Sequence, residues 1–252
     1  MARSIMDISK NERRFNVSNI IKSGYYDLDN LMEGFCEGEL VLIAGRPGMG
    51  KTSFALNIAK NVRELQNIPT VFFSLEMSKE QIVYRTKNKI WQNGIEFIID
   101  DTPALSVEGI IDKCWMYKKE QKIGLVVIDY LELISTANVK IHSQRILIMQ
   151  EVMKRLKDLA KELSVPVIII SQYPKFIERR ENKRPVLDDL KIWGIEDAAD
   201  VVLLLYRDEC YNGEETLMKG IVEINIAKQP RGKNCLVELA FIEDYCKFAN
   251  LI

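Results

Sequence analysis

The residues Gly45-Arg46-Pro47-Gly48-Met49-Gly50-Lys51-Thr52 follow the pattern G-x-x-x-x-G-K-S/T, with Ser53 next in line. Such a string is suited to binding phosphate. Its glycines let backbone N–H groups close around the oxygens, and a helix starting at Lys51 adds partial positive charge. Lys51 would reach the β- and γ-phosphates of a nucleotide such as ATP, and the Thr52 hydroxyl would ligate Mg2+. A chance match in a glycine turn would lack the buried strand before and the helix after that this sequence supplies.

A phosphate loop of this kind needs a second acid on a neighbouring strand to order the metal's water shell. Asp129, at the end of the apolar run 125–128, is in the place for it. Hydrolysis also needs a group that activates the attacking water. Glu76 follows the run 71–75 and is the first candidate; Glu132, three residues beyond Asp129, is the alternative. Gln172, closing the strand-like run 165–170 together with Ser171, is placed to sense the γ-phosphate.

These groups converge only if strands carry them to one edge of a sheet. The runs 39–44, 70–74, 125–128, 165–170 and 201–205 are apolar on both faces, as strands between two helix layers must be. Helical periodicity separates them. It predicts a helix over 51–65 with Phe54, Ile58, Val62 and Leu65 inward, and one from Ser78, where Ser78 to Gln81 reads as a capping box. Further helices are expected over 107–119 and 145–163, the last with Ile146, Met149, Val152, Met153, Leu156, Leu159 and Leu163 at core spacing. The alternation predicts an α/β P-loop NTPase core, a mainly parallel central sheet flanked by helices. Residues 221–226 and 236–239 alternate in polarity instead, which predicts antiparallel strands near the C-terminus with one wetter face.

Composition excludes several alternatives. In 252 residues, 35 basic side chains nearly cancel 36 acidic ones, so binding driven by a polycationic tail is ruled out while a local patch is not. The single histidine, His142, rules out His-rich metal sites. Five cysteines (36, 114, 210, 235 and 246) without a C-x-x-C pair fit reduced thiols in a cytoplasmic protein. Residues 1–14 lack the apolar stretch of a secretory signal. No apolar run nears the roughly 18 residues a membrane span requires, so no membrane partner is expected.

After Gln172 the chain turns basic, with Lys175, Arg179, Arg180, Lys183, Arg184 and Lys191, diluted by Glu178, Glu181, Asp188 and Asp189. Phosphate contacts from such a stretch would give salt-dependent, sequence-independent affinity for single-stranded DNA. Trp193 is placed to stack on a base. A second candidate DNA-facing segment is 135–145, with Lys140, His142 and Arg145.

Taken together, these strings resemble the RecA-like ATPase core of the DnaB-type replicative helicases. The resemblance runs from about residue 23 to 250. It rests on Ser23-Gly24-Tyr25-Tyr26-Asp27-Leu28-Asp29, the phosphate loop, Phe73-Ser74-Leu75-Glu76-Met77 and Ile128-Asp129-Tyr130-Leu131-Glu132-Leu133, followed by Ser171-Gln172, Lys183-Arg184-Pro185 and Tyr206-Arg207-Asp208-Glu209. It implies a hexameric ring that moves along single-stranded DNA in replication, with ATP sites shared between subunits and a primase or helicase loader as further partner. It adds Arg207 to the nucleotide-binding set, and Lys183, Arg184, Lys191, Trp193 and Gly194 to the DNA-gripping segment. It also implies that Lys228 and Arg231 act on the γ-phosphate of the neighbouring subunit. On this reading residues 1–22 are a short N-terminal arm and 23–252 the ATPase domain.

Three departures stand out. Family members carry a helical N-terminal domain and linker helix, where this chain has about 22 residues. The family's Lys-Gln-Arg is Lys228-Gln229-Pro230-Arg231 here. The segment 189–196 is shorter by one residue and more apolar than the family's Arg-Glu-Ser-Gly-Ser. They leave open a rival reading, a nucleotide-gated regulator without unwinding activity. A non-enzymatic assembly module is disfavoured by Glu76, which such a switch would not need.

Overall fold

The computed structural model describes residues 20–86, 97–134 and 142–251. A short antiparallel pair, β1 (Ile20–Ile21) and β2 (Phe35–Cys36), brackets helix α1 (Tyr26–Met32). Strand β3 (Leu40–Gly45) leads into α2 (Lys51–Gln66), β4 (Thr70–Ser74) into α3 (Lys79–Arg85), and β5 (Phe97–Asp100) into α4 (Val107–Gln121). Next come β6 (Leu125–Asp129), α5 (His142–Leu163), β7 (Val167–Gln172) and β8 (Val201–Tyr206). A one-turn helix α6 (Glu209–Asn212) precedes β9 (Ile221–Lys228), β10 (Cys235–Ile242) and β11 (Lys247–Asn250).

Nine strands form one sheet in the order β11-β10-β9-β8-β3-β7-β6-β4-β5. β3 to β8 are mutually parallel and β9 to β11 antiparallel, as the polarity patterns predict. β3 shows why its run is apolar throughout. Val41 and Ile43 enter one core with Phe54, Ile58 and Val62 of α2, while Leu40, Leu42 and Ala44 enter the other with Ile110 of α4 and Leu156 of α5. A polar residue on either face of such a strand would lie unsolvated between layers.

Local signals held where they were strong. The Ser78 hydroxyl accepts from the Gln81 N–H at 3.3 Å while the Gln81 carboxamide accepts from the Ser78 N–H at 2.8 Å, the reciprocal box expected. Four features differ from expectation. β7 lies between β3 and β6, so the acid-bearing strand is one place removed from the phosphate-loop strand. Leu65 is exposed rather than inward, because a 16-residue helix of about 24 Å outruns the roughly 20 Å of a six-residue strand. β9 is buried on both sides over Val222–Ile224 because Arg184, from the segment after β7, lies across Glu223. The sheet is also extended at its two edges by β5 and β11, four residues each, too short for periodicity to reveal.

Candidate nucleotide-binding site

The loop between β3 and α2 turns on Gly48 and Gly50, with φ of +84° and +88°, the left-handed region open to glycine. At Gly50 a side chain would also strike the Phe248 ring, which lies 3.2 Å from an ideal Cβ. Gly50 caps α2 without a side-chain hydrogen bond, so the first N–H groups of that helix face the loop without a side-chain acceptor, the arrangement an anion completes.

Parallel strands end on the same edge, and their register brings the predicted groups together. Gly45 pairs with Gln172, and Ser74 with Asp129. The Leu75 N–H donates to the Asp129 carbonyl at 2.8 Å, which anchors the turn carrying Glu76. The result is a cleft of about 330 Å³ lined by Pro47, Gly48, Gly50, Lys51, Thr52, Glu76, Asp129, Gln172 and Arg207. Arg207 reaches it from the end of β8. It donates to the Gly48 carbonyl at 3.1 Å, pairs with Glu209, and stacks over Phe241 at 4.5 Å.

Charge is concentrated here at high desolvation. The Lys51 ammonium donates to the Arg46 carbonyl at 3.0 Å. Burial pulls its pKa down to about 8, against the opposing pull of Asp129, Glu132 and Glu76. A bound phosphate would favour the charged amine. Nucleotide binding at pH 8 is therefore expected to take up roughly half a proton on Lys51, an uptake that disappears at pH 6 where Lys51 is already charged and where Asp129, about half protonated, instead releases a proton to bind Mg2+. Calorimetric titration in two buffers of different ionisation enthalpy measures this uptake directly.

Asp129 is 1% exposed, and neither carboxylate oxygen accepts a hydrogen bond. Burial, followed by the Glu76 charge, pushes its pKa up to about 6, while the nearby Thr52 hydroxyl and Lys51 ammonium oppose that. A buried carboxylate with unfilled lone pairs beside a hydroxyl is a donor set for a hard divalent cation. Thr52 and Asp129 therefore fit Mg2+.

Glu132 is differently employed. Its Oε1 accepts from the Ser171 hydroxyl at 2.6 Å and the Gln172 N–H at 2.9 Å, and burial raises its pKa. It does not line the phosphate cleft but a neighbouring one of about 280 Å³, shared with Arg46, Arg145, Lys175 and Trp193. Gln172 lines both clefts. Glu132 thus holds Gln172, and of the two candidate bases Glu76 is the one that lines the cleft.

Several expected contacts are not made. The Arg46 side chain turns out of the phosphate cleft to Glu178 and the Tyr173 carbonyl. Met49 is buried, its sulfur accepting from the Arg207 N–H at 3.2 Å. Ser53 is buried behind Thr52 and does not line the cleft. Gly45 serves by strand pairing. Tyr130, next to Asp129 in its motif, also lines the cleft, and so do Arg85, Phe241, Glu243 and Cys246, which carry no motif since they come from distant segments that meet only through the sheet.

Lys228 and Arg231 lie at the opposite, amino-terminal edge, where β9 ends beside Val202 at the start of β8. Neither touches its own chain's cleft, as a role on a neighbour requires. Lys228 donates to the Glu196 and Asp197 carbonyls at 2.8 and 3.3 Å. Arg231 is more firmly committed. It pairs with Glu39 and donates to the carbonyls of Met32 and Gly34 at 3.1 and 2.8 Å. Arg231→Ala is expected to strand a nearly buried Glu39 and destabilise the fold by about 3 kcal/mol, visible in chemical denaturation.

The basic stretch is largely self-neutralised. Arg180 pairs with Asp189 at 2.9 Å, Arg184 with Glu223 at 2.6 Å, and Lys191 with Asp188 at 2.6 Å. Lys183 lies 5.6 Å from the Tyr211 ring. Trp193 packs on the core beside buried Leu190 and Ile195, and its carbonyl accepts from Gln150 at 2.8 Å. Gly194 sits so close to Gln150 that a Cβ would come within 2.5 Å of its amide nitrogen. Lys183 and Arg184 therefore group with Tyr211 and Tyr206 at the end of β8, whereas Trp193 and Gly194 pack against α5. Residues 135–141 and the side chain of His142 lie outside the described residues.

Comparison with known proteins follows the same lines. The sequence profile described as "DnaB-like helicase C terminal domain" matches residues 20–90 and 87–250. A probable replicative DNA helicase of Trieres chinensis is 42% identical over 262 residues, covering 92% of this chain and 57% of that protein. The chain thus spans little more than half the length of this relative. A solved structure described as a DnaB-like replicative helicase and its interactions with primase aligns over 100% of this chain and 68% of its own, with TM-score 0.85 and 33% identity. Another, described as an ATPase domain, aligns over the whole of both chains with TM-score 0.84 and 32% identity. Among the described residues no helix is long and apolar enough to cross a membrane.

Proposed function

Since the chain belongs to the family of DnaB-like helicase C-terminal domains, we propose that it is an ATP-hydrolysing motor domain that drives movement along single-stranded DNA during replication. The observation that carries this is the buried, unpartnered Asp129 carboxylate facing Thr52 and Lys51 on the edge where Glu76 and Gln172 also end. The phosphates lie on the 45–52 loop and the start of α2, with Lys51 neutralising the terminal oxygens. Thr52 and Asp129 hold Mg2+, which supplies charge neutralisation of the phosphates. Glu76 orients the attacking water and accepts its proton. Arg207 closes the loop from above.

Lys228 is the cation directed at the neighbouring subunit's γ-phosphate in a ring, since its amine has only carbonyl partners to leave. Arg231 takes that role only if Glu39 releases it. DNA is met on the side of Gln172 away from the nucleotide, where Lys175 and Arg145 line the second cleft. Primase or a loader is the further partner that the family suggests.

The test is ATPase activity with and without single-stranded DNA, followed by strand displacement. DNA-stimulated turnover with displacement is the expected result. Unstimulated hydrolysis without displacement favours the second reading, a nucleotide-gated regulator, for which the committed Arg231 speaks.

A further inference from the structure

Lys51 and Arg46 are joined in a way that the nucleotide must disturb. An ammonium has three donors, and one of those on Lys51 is spent on the Arg46 carbonyl at 3.0 Å. Phosphate oxygens arriving at the loop compete for it. The side chain of the same Arg46 leaves the phosphate cleft altogether. Its Nε donates to Glu178 at 2.6 Å and its Nη1 to the Tyr173 carbonyl at 2.9 Å. Both acceptors belong to the segment that follows Gln172. Tyr173 is itself tied to the loop strand, its N–H donating to the Gly45 carbonyl at 3.1 Å.

Glu178 sits in the single-turn helix Lys175–Arg179, between Lys175 and Arg179, which with Lys183 are the three cations of the basic stretch that have no ion-pair partner among the described residues. A second bond reaches Glu178 from the Tyr211 hydroxyl at 3.3 Å, and Tyr211 stacks on Tyr206 at the end of β8. Glu178 is therefore where the phosphate loop, the basic segment and the end of β8 meet. The pair is partly exposed, with side-chain accessibilities of 16% for Arg46 and 37% for Glu178, so it contributes little to stability. Its consequence is positional.

From this geometry we infer that the Arg46–Glu178 ion pair transmits nucleotide occupancy from the phosphate loop to the basic segment 175–196, with Glu178 as a positioning residue. The inference rests on the proposed function for what the segment grips, but the transmission itself does not require DNA. Occupancy redirects Lys51, the Arg46 peptide shifts, and the guanidinium carries Glu178 and its helical turn with it. Gln172 lies beside this path and lines the phosphate cleft itself. The arginine link is separate, because it starts from the loop backbone.

Hydrogen exchange of residues 175–196, measured with and without a non-hydrolysable ATP analogue and Mg2+, tests this in the full chain. In the parent, nucleotide should change exchange in the segment several-fold. Glu178→Gln should bind the analogue with unchanged affinity and keep its DNA-free turnover, while the nucleotide-dependent change in exchange falls several-fold. Tyr211→Phe, which removes the longer bond and leaves the ion pair, should behave as the parent. A segment in Glu178→Gln that responds as in the parent overturns the inference, and so does a parent segment indifferent to nucleotide. DNA stimulation is read on the same samples. A parent whose segment responds to nucleotide but whose turnover ignores DNA sinks the proposed function and leaves the transmission standing.

Discussion

Glu76→Gln binds ATP as the parent does and loses two to four orders of magnitude in turnover, the range associated with removing a positioned general base. The amide keeps the size and the hydrogen-bonding reach of the carboxylate but cannot take a proton. Binding is preserved because the phosphates rest on the loop backbone, Lys51 and Arg207, none of which Glu76 touches through a hydrogen bond. Removing its negative charge also lessens the repulsion on Asp129, which Glu76 augments. Equilibrium binding of a fluorescent analogue, together with single-turnover hydrolysis, separates the two effects. Turnover within tenfold of the parent would move the base elsewhere, with Glu132 next.

Asp129→Asn has a double signature. In the unfolded chain an aspartate ionises near ~3.9, whereas in the folded chain Asp129 does so at about 6. The folded state thus holds the proton more tightly. The stability that this provides is complete below about pH 4 and is lost as pH rises to about 6. Above that window the charged, unpartnered carboxylate costs about 3 kcal/mol. The amide removes this penalty and incurs a smaller one for its own unpaired groups, about 1–3 kcal/mol. The variant's stability relative to the parent should therefore rise between pH 4 and 6 in nucleotide-free protein, followed by thermal unfolding across that range. Turnover should fall by at least about a hundredfold, because the neutral amide is a poor partner for the metal. A protein tolerating Asn with full activity would remove Asp129 from the metal site.

The two variants probe one design. The site holds Asp129 and Lys51 where they are poorly solvated, so each of these two charges weakens the empty fold and is stabilised when its ligand arrives. Lys51, shifted downward, and Asp129, shifted upward, are the paired expression of this. Arg231 and Glu39 show the contrary case, an ion pair satisfied within the chain and directed to holding the segment before β3 against the β9–β10 turn.

The sequence by itself determined the parts whose signals are local. The spacing of Gly45, Gly50, Lys51 and Thr52 dictates a loop and a helix start, because φ freedom and N–H geometry are properties of a few consecutive residues. Strands apolar on both faces announced a layered parallel sheet, whose carboxyl edge then had to collect Asp129, Glu76 and Gln172. The tertiary structure alone decided which charges are free. Arg46, Arg184 and Arg231 read as cations available for phosphate, yet each is held by an acid 132, 39 or 192 residues away. Arg85, Phe241 and Cys246 reach the cleft from segments with no motif at all. Ion pairing and cleft lining depend on distances between side chains that the sheet order sets, and that order, with β7 between β3 and β6, is a property of the packed molecule rather than of any stretch of chain.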